Sequence, residues 1–408
     1  MSEISVKTAA WYGDRDVSLT FPDSWSVHTA AFEKRPVLGD EELRDAFRNP
    51  VGSPPVSEMA KGRKSAVILA DDLTRPTPAS RVIPFIIEEL VEAGIDEDSI
   101  LIFMAHGCHR QMQSPDIAKK IGRDIARQFS VRQNELDAPC IFVGETSYGI
   151  PIHVNQWVMD CEFKIGVGGP YPHGGASFSG GGKIILPGCC NHDTISLAHG
   201  KLSGIDGHVR AGKISQFRLN SEEAARLAGL DATVLTILND AREVTGLVVG
   251  DVVEAHRAAV DIAREAYVVQ PVDDADVVIS TGYPKDHDLK YSSQGKWPLD
   301  RSNGAAKILV ASADEGVGYH RLGIINAKKR RIAKNQERVD LAIPKKTKNA
   351  GFMLYSQAVG PAEVRDVHPN ADLVEDWDTA RSCLEDRFRG EKPKVAVYPA
   401  AALAYPAE

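Results

Sequence analysis

The sequence has no C-x-x-C pair; its six cysteines, Cys108, Cys140, Cys161, Cys189, Cys190 and Cys383, are scattered along 408 residues. In a chain of this size they read as reduced thiols rather than a disulfide framework. No apolar run approaches the ~20 residues of a membrane span. The N-terminus, MSEISVKTAAWYGDRDVSL, lacks a basic stretch followed by an apolar one, so no secretory signal is expected. Basic excess is missing too: the net charge of −8 argues against general nucleic-acid binding. Internal repeats and low-complexity tracts are absent. What is present, 43% apolar and 25% charged residues, describes an ordinary soluble protein, and 408 residues exceed one ordinary core. A cytoplasmic enzyme of two domains is the expectation.

Residues 1–62 alternate short apolar runs with turn signals, enough for a small sheet and a helix near Asp40 to Arg48. Ser65–Asp72 (SAVILADD) is a continuous apolar run ending in acids, the pattern of a buried parallel strand, and a helical stretch follows from Ala79 to Gly94. Ser99–Met104, Ala138–Val143 and Phe163–Val167 continue the series. This alternation predicts an α/β fold of two domains, each with a mainly parallel sheet flanked by helices and with the active site in the cleft between them. Ser221 to Val268 is expected to be mainly helical, with Asp251 as a capping acid. Strands are expected again at Val277–Ser280, Ala306–Ala311 and Lys394–Tyr398, with a helix from Trp297. The domains are placed at 1–270, carrying the cofactor and catalytic loops, and 271–408, closing over the substrate, with the last residues left able to return to the first. The basic run 325–348 reads as a solvated helix face.

Glycine and histidine concentrate in YPHGGASFSGGGKIILPGCCNHDTISLAHG, Tyr171 to Gly200. Glycines this dense mean close backbone approach or positive φ. Lys183 in GGGK invites a phosphate-loop reading, but Ser177 stands where the first glycine belongs and Ile184 where Ser or Thr belongs, so the match fails twice. Ligands of open α/β sheets sit beyond the carboxyl ends of the strands. That rule gathers DDLTRP (71–76), AHGCHR (105–110) and the glycine-rich loop around one crevice. Arg75 suits a bidentate clamp on a carboxylate or phosphate. His109, His173 and His199 are candidates for proton transfer or for binding a transition metal such as nickel. Lys296, in KYSSQGKWP (290–298), can supply a further positive charge.

Together these motifs resemble the lactate racemase family, the nickel-pincer-nucleotide 2-hydroxyacid racemases and epimerases. The carriers are DDLTRP, GCHR (107–110), the pattern H-x4-F-S-G-G-x-K-x3-P-G from His173 to Gly188, and His199. The resemblance implies that Lys183 tethers a pyridinium-3-thioamide-5-thiocarboxylic acid mononucleotide holding nickel, with His199 as protein ligand. It implies His109 and His173 as the two catalytic bases and Asp72 and Thr74 as cofactor-pocket residues. Arg75 and Lys296, with Gln294 and Ser293, would fix the substrate. The implied reaction is inversion at C2 of a 2-hydroxy acid by proton-coupled hydride transfer. Cofactor-synthesis proteins are implied as partners and a homo-oligomer is compatible; no nucleic acid or membrane partner is expected. Cys108 stands where many relatives have threonine. Ser293 stands where the family often has glutamine, with Gln294 beside it, which points to a substrate larger or more polar than lactate, such as a sugar acid. Two alternatives use the same residues: a zinc hydrolase built on His106, His109 and His199, and a non-catalytic carboxylate or nucleotide binder.

Overall fold

The computed structural model describes residues 1–202, 213–322 and 351–407, and the expected basic helix at 325–348 lies outside them. The described chain divides into two compact units. The larger comprises Lys34–Ala266 with a return at His320; the smaller comprises Met1–Glu33, Tyr267–Tyr319 and the C-terminal segment.

The larger unit is built on a six-stranded sheet. In spatial order its strands are Val244–Gly250, Ala232–Leu238, Phe163–Gly168, Ala66–Ala70, Ile100–Met104 and Ser130–Gln133. All neighbours are parallel except the first pair, which is antiparallel. Every residue of Ala66–Ala70 and of Phe163–Gly168 is buried, as expected for strands covered on both faces. Helix Ala79–Glu92 buries Val82, Ile83, Ile86 and Leu90. From Ala66–Ala70 the chain order runs one way through Ile100–Met104 to Ser130–Gln133, then reverses to Phe163–Gly168 on the other side. The reversal opens a crevice between the loops leaving Ala66–Ala70 and Phe163–Gly168, where doubly wound sheets place ligands.

Two expectations for this unit are corrected. The stretch expected to be helical from Ser221 to Val268 contains the antiparallel strands Ala232–Leu238 and Val244–Gly250. Their β-branched content favours the pleated state, and Asn239 Oδ1 accepts from the Ala241 and Glu243 N–H groups to close the turn. The helical part resumes at Glu254–Tyr267, where Asp251 Oδ1 accepts from the Val253 and Glu254 N–H groups. The run expected as a parallel strand at Ala138–Val143 is instead Cys140–Glu145, in an antiparallel hairpin with Pro151–Asn155. A local turn closes that pair, Gly149 N donating to Thr146 O at 2.8 Å, at less loop entropy than a long crossover.

The smaller unit has an all-parallel sheet in the order Asp372–Val374, Phe352–Tyr355, Ala306–Val310, Val277–Thr281, Lys394–Tyr398 and Ser26–Thr29. Residues 1–33, expected with the first domain, therefore belong here: Ser26–Thr29 extends the sheet edge and the hairpin Ser2–Thr8/Arg15–Phe21 packs into this core. The final residues stay in this unit as well, Tyr405–Pro406 pairing with Val268–Val269. Buried Asp286 ties the N-terminus down, accepting from Thr8 Oγ1 at 2.7 Å, Ala9 N at 2.8 Å, Ala10 N at 3.1 Å and Ser312 N at 3.2 Å.

Candidate active site

The DDLTRP loop leaves the strand Ala66–Ala70 and is held from beneath by Lys120 of helix Ser114–Ile121. Lys120 is fully buried; its Nζ pairs with Asp71 Oδ1 at 2.6 Å and donates to the Asp72 and Arg75 carbonyls at 3.0 Å each. Burial pushes the lysine down, and the Asp71 charge opposes that shift. A hydrogen-bond chain continues from Asp71. Thr77 Oγ1 donates to Asp71 Oδ2 at 2.6 Å, and Tyr171 OH lies 3.1 Å from Thr77 Oγ1 and 2.9 Å from Thr236 Oγ1. One helix and two strand-end loops are thus fixed against one another, which pre-sets the crevice.

His109 arrives on the next loop. Its Nδ1 lies 2.7 Å from Asp72 Oδ2 and 3.2 Å from Thr74 Oγ1. An ionised carboxylate only accepts, so Nδ1 carries the proton and the lone pair is on Nε2. Burial alone would raise the Asp72 carboxyl. The His109 contact, the Arg75 charge and the Thr74 side chain override it and hold Asp72 well below the usual carboxylate range. Arg75 Nη1 donates to Thr74 Oγ1 at 2.9 Å, so Thr74 joins arginine to histidine. His320, which carried no signal in the sequence, returns to this loop with its ring 5.4 Å from that of His109. Cys108 faces the core, and burial pushes its thiol up to about 12, so it is inert.

The glycine-rich loop follows Phe163–Gly168. Gly181 sits at φ 57°, and a Cβ on Gly182 would fall 2.6 Å from the Ser221 carbonyl oxygen. The glycines therefore let the turn Gly181–Ile184 press against helix Gln216–Leu227. Three consecutive carbonyls of the loop turn to buried donors: Phe178 and Gly180 accept from the Arg218 guanidinium, and Ser179 accepts from His256 Nε2 at 2.8 Å. Arg218 and His256 were not singled out from sequence, since charged and polar positions on helices ordinarily read as solvated.

Lys183 emerges from that turn 8% exposed, with no carboxylate at ion-pair distance among the described residues. Burial first, then the charges of Arg218 and Arg75, push its amine well below the ordinary lysine range. A neutral amine is the form that makes a covalent bond. Its Nζ lies 4.5 Å from the centre of the Phe217 ring, and the His199 ring packs edge-on to the same phenyl at 5.0 Å. His199 Nδ1 lies 2.8 Å from the Ile195 carbonyl and donates to it, leaving the Nε2 lone pair for a metal. Burial pushes His199 down to about 4, so the ring is neutral at pH 7. His173 differs. Its Nδ1 accepts from the Gly175 and Ala176 N–H groups at 3.2 Å each, so its proton is on Nε2.

Asp72, Arg75, His109 and Lys183 line a single cleft with His106, Gly168, Ser179–Gly181 and Gly188, about 520 Å³ of space opening to solvent. Lys296, Gln294 and Ser293 lie in the smaller unit as a cluster of their own. Gln294 Oε1 accepts from Lys285 Nζ at 2.9 Å, Ser293 Oγ donates to the Leu289 carbonyl at 2.9 Å and lies 3.4 Å from His368 Nε2, and Lys296 Nζ is 4.0 Å from Asp300. Among the described residues, no three His, Cys, Asp or Glu side chains are grouped to hold a metal ion. Among the same residues, no helix is long and apolar enough to cross a membrane.

The model of the lactate racemase N-terminal domain matches residues 12–208. The chain is 28% identical over 312 residues to a lactate racemase of Lactiplantibacillus plantarum, covering 74% of this chain and 73% of that protein. It is 24% identical over 319 residues to a lactate racemase of Thermoanaerobacterium thermosaccharolyticum, with 75% and 74% covered. In three dimensions it matches the solved lactate racemase apoprotein of Thermoanaerobacterium thermosaccharolyticum, with a TM-score of 0.72 at 19% identity over 99% of this chain and 100% of that one. A structural-genomics protein from Thermotoga maritima matches with a TM-score of 0.67 at 17% identity, over 92% and 100%. Those two structural matches speak for the fold. The matched N-terminal domain and the curated relatives make this chain similar to lactate racemases, which are isomerases, and the histidine, lysine and arginine constellation lies at the switch point of its larger sheet.

Proposed function

We propose that the chain inverts the C2 centre of a 2-hydroxy acid, using a nickel-pincer nucleotide tethered to Lys183. The observation that carries the reading is the pair Lys183 and His199, both packed on Phe217: one amine held neutral, one imidazole with Nε2 left for a metal. Such a donor set fits a group needing one covalent anchor and one nitrogen ligand, and square-planar nickel accepts imidazole readily. Asp72 and Thr74 complete the pocket wall around it. When bound, the cofactor supplies a site that takes the C2 hydrogen as hydride and returns it.

The protein side of the reaction follows from the tautomers. His109 Nε2, polarised through Nδ1–H to Asp72, takes the hydroxyl proton of one enantiomer. Asp72 stabilises the cation that forms and fixes the ring plane, as the buried carboxylate does in hydrolase triads. Arg75 binds the substrate carboxylate, and its tie to Thr74 keeps it beside His109. His173 serves the opposite face, which requires Nδ1 to release its two backbone contacts first. Lys296, Gln294 and Ser293 supply the remaining substrate contacts. Ser293 with His368 offers a polar surface to a substrate bearing hydroxyls beyond lactate. The chain depends on cofactor-synthesis proteins for loading and works in the cytoplasm; assembly into a homo-oligomer is compatible with it.

The test is intact mass and metal analysis of protein produced together with the cofactor-synthesis enzymes, followed by chiral chromatography over a panel of 2-hydroxy acids. The expected result is an adduct on Lys183, one nickel per chain and inversion of at least one acid. Replacing His199 with Ala keeps the adduct and loses the nickel. Absence of both adduct and nickel from the unaltered chain overturns the reading, and loading without inversion of any acid makes the protein a binder.

A further inference from the structure

Of the two histidines that line the cleft among the described residues, His106 is the one to which neither the sequence resemblance nor the reaction assigns a part. It follows the strand Ile100–Met104 and lines the cleft with Asp72, Arg75, His109 and Lys183, only 2% exposed. Among the described residues, neither ring nitrogen has a hydrogen-bond partner; the Gly107 backbone approaches the ring outside hydrogen-bond geometry. Buried polar groups are nearly always satisfied, and an orphan in a ligand site marks a partner supplied from outside the chain. The backbone around it is fixed, with Gly107 N donating to Gly188 O at 3.1 Å and His109 N to His106 O at 3.0 Å. The orphan is therefore not the product of a loose loop. A half-turn of the ring about Cβ–Cγ exchanges nitrogen and carbon positions without changing its outline, so a nitrogen is presented to the cleft at no steric cost.

We propose that His106 is a ligand-contacting residue that hydrogen-bonds a ribose hydroxyl of the tethered mononucleotide. The proposal rests on the function argued above. Two features favour a hydroxyl over a phosphate. Burial pushes the ring down to about 4, so it is neutral, with one donor and one acceptor that match a group able to both give and take a hydrogen bond. The Asp72 carboxylate acting on the same ring disfavours a second anion.

The proposal also predicts a conflict between binding and stability. His106→Leu replaces an unsatisfied polar ring with an apolar side chain of similar volume. His106→Gln keeps a donor and an acceptor. Each variant and the unaltered chain are made with and without the cofactor-synthesis enzymes, then read by thermal melting of the apoprotein and by the fraction carrying the Lys183 adduct in intact mass. The expected result is an apo His106→Leu that melts at or above the unaltered chain yet loads at least tenfold less, with His106→Gln recovering part of the loading. Equal loading of His106→Leu and the unaltered chain overturns the proposal. So does a melting point several degrees lower in the apoprotein, which would make the ring, with a buried water, a structural element. If the unaltered chain itself does not load, the function proposed above fails, and this inference falls with it rather than on its own account.

Discussion

The Asp72 carboxylate lies 2.7 Å from His109 Nδ1, and both belong to loops at the switch point of one sheet. That distance fixes the tautomer of His109, and the proposed proton transfer at Nε2 makes Asp72 its positioning residue. Asp72→Asn keeps the shape but allows the wrong tautomer. The expected outcome is a fall in kcat of about 100- to 10,000-fold, with KM changed little and the Lys183 adduct retained. Steady-state kinetics normalised to nickel content checks it. A loss of less than threefold would show that the dyad does not set the proton transfer.

A second prediction concerns the support under that loop. Lys120→Met leaves the Asp71 carboxylate buried without its cation, 2.6 Å from where Nζ was. Removing one partner of a buried pair costs about 3–5 kcal/mol, which for a unit of this size lowers the melting point by roughly 10 °C. Adding Asp71→Asn to Lys120→Met removes the stranded charge and should recover more than half of the loss. A double-mutant cycle read by calorimetry tests this; strictly additive losses would mean that the two residues do not act as a pair.

These two pairs also show what could be read in the sequence. The runs SAVILADD and SILIFM are legible as strands because a parallel strand buried on both faces reads as a near-continuous apolar run, and FKIGV keeps that pattern except at Lys164, whose Nζ donates to the Cys161 carbonyl. Their chain order then placed Asp72, Arg75, His109 and Lys183 at one crevice. ATVLTIL and VTGLVVG sit among helical stretches, where short apolar runs are ambiguous between helix and strand. Ser26–Thr29 is a polar edge strand, with no apolar pattern to betray it. Lys120, Arg218 and His256 stayed hidden for another reason. Their partners are mainly backbone carbonyls far away in sequence, and no local spacing encodes that.

Acid stability follows from the sign of the His106 shift. Its ring is pushed down to about 4 in the folded chain by burial, against about 6.5 for an unfolded histidine. Between those values the unfolded state holds a proton that the folded state lacks, so stability rises with pH through this window. The contribution is complete above pH 6.5 and lost as pH falls to about 4, on the order of 3 kcal/mol for one such group. His106→Leu should flatten the apoprotein's melting-point profile between pH 6.5 and 4. An unchanged slope in the variant would assign the acid sensitivity elsewhere.

The last prediction separates the two proposed proton carriers. His109 and His199 each donate through Nδ1, to Asp72 and to the Ile195 carbonyl, whereas His173 Nδ1 accepts from Gly175 and Ala176. Imidazole-labelled apoprotein in a two-bond proton–nitrogen NMR experiment at neutral pH should therefore show the proton on Nδ1 for His109 and His199 and on Nε2 for His173. A ring with Nε2–H and an engaged Nδ1 has no lone pair with which to accept a proton, so the role proposed for His173 requires a rearrangement from the free protein. Loading the cofactor and adding a 2-hydroxy acid should shift the His173 signals and leave the Nδ1–H pattern of His199 in place. If His173 already carries its proton on Nδ1 in the apoprotein, the two faces are prepared alike and no rearrangement of residues 173–176 is needed for inversion.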